Sequence, residues 1–266
     1  MKQESYTVSY EHELGHNGQT ILLIIEKFNS MEIDKVFNQD CLEGMKGIPD
    51  ESVDLIVTDP PYKLTARGNG GTMSGYWTND ITKKGKVFEN NDVQIEDYLG
   101  EFYRILKDTS HCYIMCNNLN LPHFFEVISK SKFNFVKLLV WDKCTKICGK
   151  YYMGQVEHIF LLRKGGDKPI NDCGTSDLLS FPNKKDKAYN GVNIHDSQKP
   201  IGLFQTMIEN SSKEGEIILD PFMGSGTCAI ACMRTNRHYL GFELDKKYFD
   251  IVQERIKQEQ SQLTLF

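Results

Sequence analysis

Residues 217–229, IILDPFMGSGTCA, run from an apolar strand through a glycine-rich turn into the start of a helix. Gly224 and Gly226 allow the close backbone approach that an adenosine-containing ligand needs, and Gly224-x-Gly226-x-x-Ala229 satisfies the relaxed dinucleotide fingerprint. Glu243 stands 17 residues beyond Gly226, at the end of the next predicted strand, HYLGFEL, where an acid can bind ribose hydroxyls. A glycine turn with a purely structural role is the alternative. A dinucleotide fold normally opens with this turn, and its other strands follow. Here the turn comes 40 residues before the end, so the strands that complete the sheet must precede it. The order predicts an α/β, Rossmann-like fold, circularly permuted, with a mostly parallel sheet and helices on both faces.

The rest of the chain supplies those strands. Its strand-like runs are KVF near 35–38, SVDLIVTD, HCYIMCN, FVKLLVWDK and VEHIFLLRK. Between them lie a helix over about 94–107, with Tyr98, Phe102, Ile105 and Leu106 at helical spacing, and a second in LPHFFEVISKS. The alternation marks a layered α/β sheet. Residues 63–91 carry Gly, Asn and Thr without periodicity, and a loop of roughly thirty residues inside a compact domain is usually functional. Residues 163–195 are again irregular. The expected organisation is an N-terminal extension over 1–33, one half-domain over 34–162, a small insert over 163–195 and a second half-domain over 196–266, whose last helix is capped by Asp245.

A second feature shares the sheet's expected ligand-binding rim. VTDPPYKL, residues 57–64, places Asp59 at the carboxyl end of a buried strand, where open α/β sheets bind ligands. Pro60 and Pro61 have no backbone N–H, so they present carbonyls without competing donors. A carboxylate and a proline carbonyl together can accept both hydrogens of one NH₂ group, and Tyr62 offers a face for a flat ring. A nucleobase with an exocyclic amine fits all three features; a capped turn at the end of a strand is the bland alternative.

Bulk properties exclude several classes. At 266 residues the chain is long enough to bury a sizeable core. No apolar run approaches a membrane span, and TILLIIEKF lacks the basic flank and cleavage site of a signal peptide, so a cytoplasmic protein is expected. Six of the eight cysteines form C-x₃-C pairs, but 112/116 fall in a strand and 228/232 in a helix, so no metal is expected and the thiols read as free. The net charge of −5 argues against a protein that coats nucleic acid. Residues 132–168 nevertheless hold eight Lys or Arg against three Asp or Glu, which is compatible with phosphate contacts or with a solvated face.

Together these motifs resemble the amino-type DNA methyltransferases of the β arrangement, in which the target-amine motif precedes the cofactor motif. TDPPY is similar to their catalytic motif, LDPFMGSGT to their cofactor loop, GFELD to their ribose-binding acid, and HDSQKPIGL to the segment opening the cofactor half. NQDCLEGM resembles their N-terminal piece. The resemblance covers nearly all of residues 34–259; the departure is Asp196-Ser197 after His195, where the family usually has Pro-Thr.

The resemblance implies S-adenosylmethionine as cofactor and adenine N6 in DNA as methyl acceptor, since aspartate rather than serine at 59 favours adenine. It assigns catalysis to Asp59, Pro60, Pro61 and Tyr62. Cofactor binding falls to Asp40 (adenine amine), Cys41, Lys199 (methionine carboxylate), Asp220, Phe222, Gly224, Ser225, Gly226, Thr227 and Glu243 (ribose). The target base would be flipped onto Tyr62, with DNA held by Arg67, Lys83, Lys84, Lys86, Lys184 and Lys185. Asp40 as a helix cap and Lys199 as a surface cation are the bland readings. The small insert suggests a homodimer, and a cognate restriction nuclease is a further expected partner. Cytosine N4, adenine in RNA or single-stranded DNA, and a non-catalytic DNA-binding subunit are the competing readings.

Overall fold

The computed structural model describes residues 31–61, 93–148, 151–183 and 198–263. Tyr62, Arg67, Lys83, Lys84, Lys86, Lys184 and Lys185 lie outside these residues, as do most of the expected N-terminal extension and the whole of the 63–91 loop. The strands are β1 (Lys35–Phe37), β2 (Val53–Thr58), β3 (Leu106–Cys116), β4 (Asn134–Ile147), β5 (Gly154–Arg163), β6 (Leu178–Ser180), β7 (Ile217–Asp220) and β8 (His238–Phe242). They form one sheet in the order β1-β8-β7-β2-β3-β5-β4-β6. Neighbours run parallel from β1 through to β3; β5 lies antiparallel to both β3 and β4, and β6 is parallel to β4. The seventh strand in sequence therefore sits inside the sheet, beside the second.

Every residue of β2 is buried, so both faces of the sheet must be covered. On one face Leu55, Val57, Tyr113, Met115, Ile159 and Ile218 join a core with Leu203, Phe204, Met207 and Ile208 of α4 (Ile201–Ser211). Residues 228–232 of α5 (Thr227–Arg234) and Val252 and Ile256 of α6 (Lys246–Leu263) complete that core. The alternate residues Ile56, Ile114 and Phe160 are equally buried and point the other way. There Phe124 of α3 (Leu121–Lys130) packs 5.7 Å from Phe160, and Tyr98 and Phe102 of α2 (Ile95–Ile105) are buried. The short α1 (Cys41–Lys46) buries Cys41 and Met45. Asp245 caps α6 through Oδ1, which accepts from the Lys247 and Tyr248 amides.

Two boundaries differ from expectation. The helix expected to 107 stops at Ile105, and Leu106 already starts β3. Val53 pairs with Leu106 while Leu55 pairs with His111, so residues 107–110 bulge out of register. Thr109, at φ 57°, lies in that bulge. A bulge breaks the two-residue alternation by which a strand is recognised. The second difference lies in the expected insert, where residues 178–180 form an edge strand: Leu179 pairs with Trp141, whose indole N–H donates to Phe181 O at 2.9 Å. Three residues are too few to show a period.

No helix among the described residues is long and apolar enough to cross a membrane.

Candidate active site

Because β2 and β7 are parallel neighbours, with Leu55 opposite Ile218 and Ile56 opposite Leu219, their carboxyl ends fall side by side. The last residues of the two strands are bonded directly: Thr58 Oγ1 donates to Asp220 Oδ1 at 2.6 Å. Asp59 and Pro60 leave from one strand end and the Pro221–Thr227 turn from the other. β8 and β1 continue the same parallel set, which brings Glu243 and Asp40 to the same rim. Four acids, Asp40, Asp59, Asp220 and Glu243, thus stand at or just beyond the ends of four adjacent strands.

Asp220 is 3% exposed, and its Oδ1 also accepts from the Phe222 amide at 3.1 Å. Burial pushes its carboxyl up to about 7, against the lowering by hydrogen bonds from Thr58 and Phe222, and the charges of Asp59 and Glu243 add to the rise. A folded-state value above the unfolded one means that the native state binds the extra proton. Native stability therefore falls as pH rises from the ordinary carboxylate range toward 7, and the full penalty persists above it. Asparagine at 220 can accept the same two hydrogen bonds without the charge. The stability of Asp220→Asn relative to wild type should grow by about 2–3 kcal/mol between pH 5 and pH 8. Urea denaturation at the two pH values measures this; an unchanged gap contradicts it.

The turn is strapped to β8. The Met223 amide donates to Phe242 O at 2.9 Å, and the Gly224 amide to Glu243 Oε2 at 2.8 Å. Glu243 Oε1 accepts from the Asp245 amide at 2.8 Å. Burial raises the Glu243 carboxyl despite these bonds. Gly224 and Gly226 have φ of 54° and 82°, the left-handed region where a side chain is costly, and a Cβ on Gly226 would come within 3.2 Å of Val252. Gly226 caps α5. Ser225 is buried with its carbonyl held by Arg255, and Thr227 Oγ1 donates weakly to Lys199 O at 3.4 Å. The Phe222 ring meets Tyr98 edge-on at 5.3 Å.

Asp40 is the N-cap of α1; its Oδ1 accepts from the Leu42 and Glu43 amides at 2.8 and 3.3 Å. The bland reading of this residue is thus seen, and it is compatible with ligand contact through Oδ2. Cys41 beside it is buried, which, with the charge of Asp40, pushes its thiol up to about 12. Among the described residues no group of three or more His, Cys, Asp or Glu is arranged to hold a metal ion, and all eight cysteines are free.

Lys199 is not a surface cation. It is 8% exposed, and its Nζ lies 2.6 Å from Asp59 Oδ2 and 3.4 Å from Glu157 Oε2. Glu157 Oε1 in turn holds Lys143 at 2.7 Å, and both lysines lie over the buried Trp141 ring, at 5.9 and 5.7 Å. Burial would lower Lys199, but the charges of Asp59 and Glu157 outweigh it and hold the ammonium above the ordinary lysine range. Glu157 and Lys143 were missed by sequence reasoning. Their one signal was the single acid in VEHIF and the single base in VWDK.

Among the described residues, four of the eight cations in the basic stretch over 132–168 are ion-paired. Lys137 pairs with Asp177, Lys143 with Glu157, Lys164 with Glu51 and Arg163 with Asp167. A groove of about 900 Å³ between α2 and α3, lined by Glu96, Tyr103, His123 and Lys132, adjoins Glu51 and Lys164. It lies at the amino ends of the parallel strands, away from Asp59.

Comparison with known proteins places this rim in a family. The DNA methylase family profile matches residues 53–254. The Type II methyltransferase M.HinfI of Haemophilus influenzae is 27% identical over 249 residues, covering 85% of this chain and 69% of its own length. The Type II methyltransferase M2.MboI of Moraxella bovis is 25% identical over 248 residues, covering 84% of this chain and 88% of its own. Among solved structures, M1.HpyAVI in complex with S-adenosylmethionine superposes with TM-score 0.61 at 19% identity, over 83% of this chain and 98% of that one. The cytosine-N4-specific PvuII DNA methyltransferase superposes with TM-score 0.66 at 15% identity, over 86% and 92%. These last two likenesses establish the fold. Since the family profile runs from the first residue of β2 to well within α6, the chain belongs to the N6/N4 DNA methylase family.

Proposed function

We propose that the protein transfers a methyl group from S-adenosylmethionine to the exocyclic N6 of adenine in DNA. The observation that carries the proposal is the direct bond between the two strand ends, Thr58 to Asp220 at 2.6 Å, which sets Asp59-Pro60 beside the glycine turn.

The turn and its surroundings suit the cofactor. Gly224 and Gly226 present backbone with no Cβ, the Glu243 carboxylate has acceptor capacity beyond its amide bonds, and the half-buried Phe222 stands in the same turn. Asp40, Cys41, Asp220, Ser225 and Thr227 complete the proposed lining, with Lys199 at its border with Asp59. Bound there, S-adenosylmethionine supplies an electrophilic methyl on a sulfonium.

The nucleophile is the harder partner, because the lone pair of the adenine amine is delocalised into the ring. The Asp59 carboxylate and the Pro60 carbonyl accept its two hydrogens and draw the nitrogen toward tetrahedral geometry. Positive charge then develops on nitrogen; Asp59 stabilises it in a site shielded from water and accepts the surplus amine proton, which leaves the product amine neutral. Positioning supplies much of the remainder. The base leaves the duplex to reach this rim and stacks on Tyr62, and Arg67, Lys83, Lys84, Lys86, Lys184 and Lys185 offset the unstacking by holding phosphates. A cytoplasmic location, a homodimer and a cognate nuclease accompany this reading as expectations.

Aspartate at 59 favours adenine, whereas the likeness to the cytosine-N4-specific PvuII enzyme supports N4 as the second reading. Digesting DNA to nucleosides after incubation with the protein and methyl-labelled S-adenosylmethionine separates the two. Label in N6-methyldeoxyadenosine is expected; label in N4-methyldeoxycytidine selects the other reading, and no label removes both.

A further inference from the structure

Asp59, the carboxylate that must accept the target amine, carries an ammonium in this structure. An ammonium is a charged donor and competes more strongly for a carboxylate than a neutral base amine does. It also sets a positive charge against the atom where positive charge must develop. Methyl transfer therefore requires another seat for Lys199.

The structure contains one. Glu157 reaches the cluster from β5, opposite Trp141 of β4. Its Oε1 is taken by Lys143, while Oε2 is buried and, among the described residues, meets only the Lys199 ammonium, at 3.4 Å and without good hydrogen-bond geometry. A buried acceptor so poorly satisfied is costly. The lysine stem is flexible and its ammonium has three donors, so a small swing completes this bond. The chain Asp59–Lys199–Glu157–Lys143 carries two charges of each sign, so the swing changes only which carboxylate the ammonium faces.

We propose that Glu157 is a positioning residue for methyl transfer: it is the second seat of the Lys199 ammonium, drawing it off Asp59 when the target amine takes its place. The inference rests on the methyltransferase reading and adds to it a built-in placeholder. In the free protein Lys199 neutralises the partly buried Asp59; during the reaction it stands with Glu157. Burial raises the Glu157 carboxyl, but Lys199 and Lys143 outweigh it and hold it below its ordinary range, so the exchange is between two ionised seats and moves no proton.

The test compares wild type, Glu157→Gln, Lys199→Met and the double variant for kcat on DNA and for S-adenosylmethionine binding by calorimetry. Glu157→Gln weakens the second seat and is expected to lower kcat about 30-fold while cofactor affinity stays within about threefold. Once Lys199 is gone Glu157 has nothing to position, so the double variant should be no slower than Lys199→Met alone. A structural role for Glu157 would instead multiply the two losses. The double variant keeps one charge of each sign in the cluster and carries the test if Glu157→Gln does not fold. Glu157→Gln within threefold of an active wild type, or multiplied losses, overturns the inference alone; a wild type that transfers no methyl overturns it together with the function it rests on.

Discussion

Asp59→Ala should bind S-adenosylmethionine nearly as well as wild type and methylate DNA at least about 10³-fold more slowly. The split follows from the geometry. Asp59 leaves the end of β2, whereas the glycine turn is strapped to β8 through the Met223 and Gly224 amides, bonds the substitution does not touch. What is lost is the charge that would face the amine and one of its two acceptors. Asp59→Asn separates these contributions: it keeps an acceptor oxygen, removes the charge, and should still lose about 10²-fold. Neither change should unfold the protein, because Lys199 retains Glu157 as an ionic partner. Calorimetry for cofactor binding and labelled methyl transfer for activity check the result; parallel loss of both would place Asp59 in the cofactor site instead.

Gly241→Ala is expected to have the largest effect on stability. Gly241 lies in β8 between Asp220 of β7 and Val36 of β1. A Cβ there would stand 2.1 Å from Met223 Cε and 2.8 Å from the Asp220 carbonyl oxygen. The methionine tip can move. The carbonyl belongs to a paired strand and cannot move without parting β8 from β7 at the rim. Overpacking of this kind costs about 1–3 kcal/mol, or roughly 6 °C in Tm for a chain of this size. The strain falls where Glu243 holds Gly224, so affinity for S-adenosylmethionine should fall about tenfold or more, in line with roughly 1.4 kcal/mol per decade. Gly100→Ala is the control: a Cβ there meets nothing within 4 Å, and alanine in α2 should add about 0.5–1 kcal/mol. Thermal melts and cofactor titration measure both variants; a Gly241→Ala protein as stable as wild type contradicts the packing account.

The rim was legible because each of its parts has a local signature. An apolar run ending in an acid and two prolines, and an apolar run ending in spaced glycines, reveal themselves within ten residues. Their adjacency followed from the late position of the glycine turn, which requires earlier strands to finish the sheet. What stayed hidden depends on pairing between distant strands. Lys199 meets Asp59 with Glu157 behind it, and the β4–β5 register that brings Glu157 to Trp141 has no local cue. For the same reason the pairing of the basic run over 132–168 was hidden: its partners Glu51 and Asp177 come from other segments. The start of β3 was masked by its bulge, and β6 by its brevity.

The central claim is that one crevice, built where β2 and β7 end together, holds both the methyl donor and the amine that receives it. A crystal structure of the protein soaked with S-adenosylmethionine tests this most directly. The ligand is expected on the rim, its ribose at Glu243 and its methyl turned toward Asp59 and Pro60. A ligand seated instead in the groove between α2 and α3, against Tyr103 and His123, would contradict it.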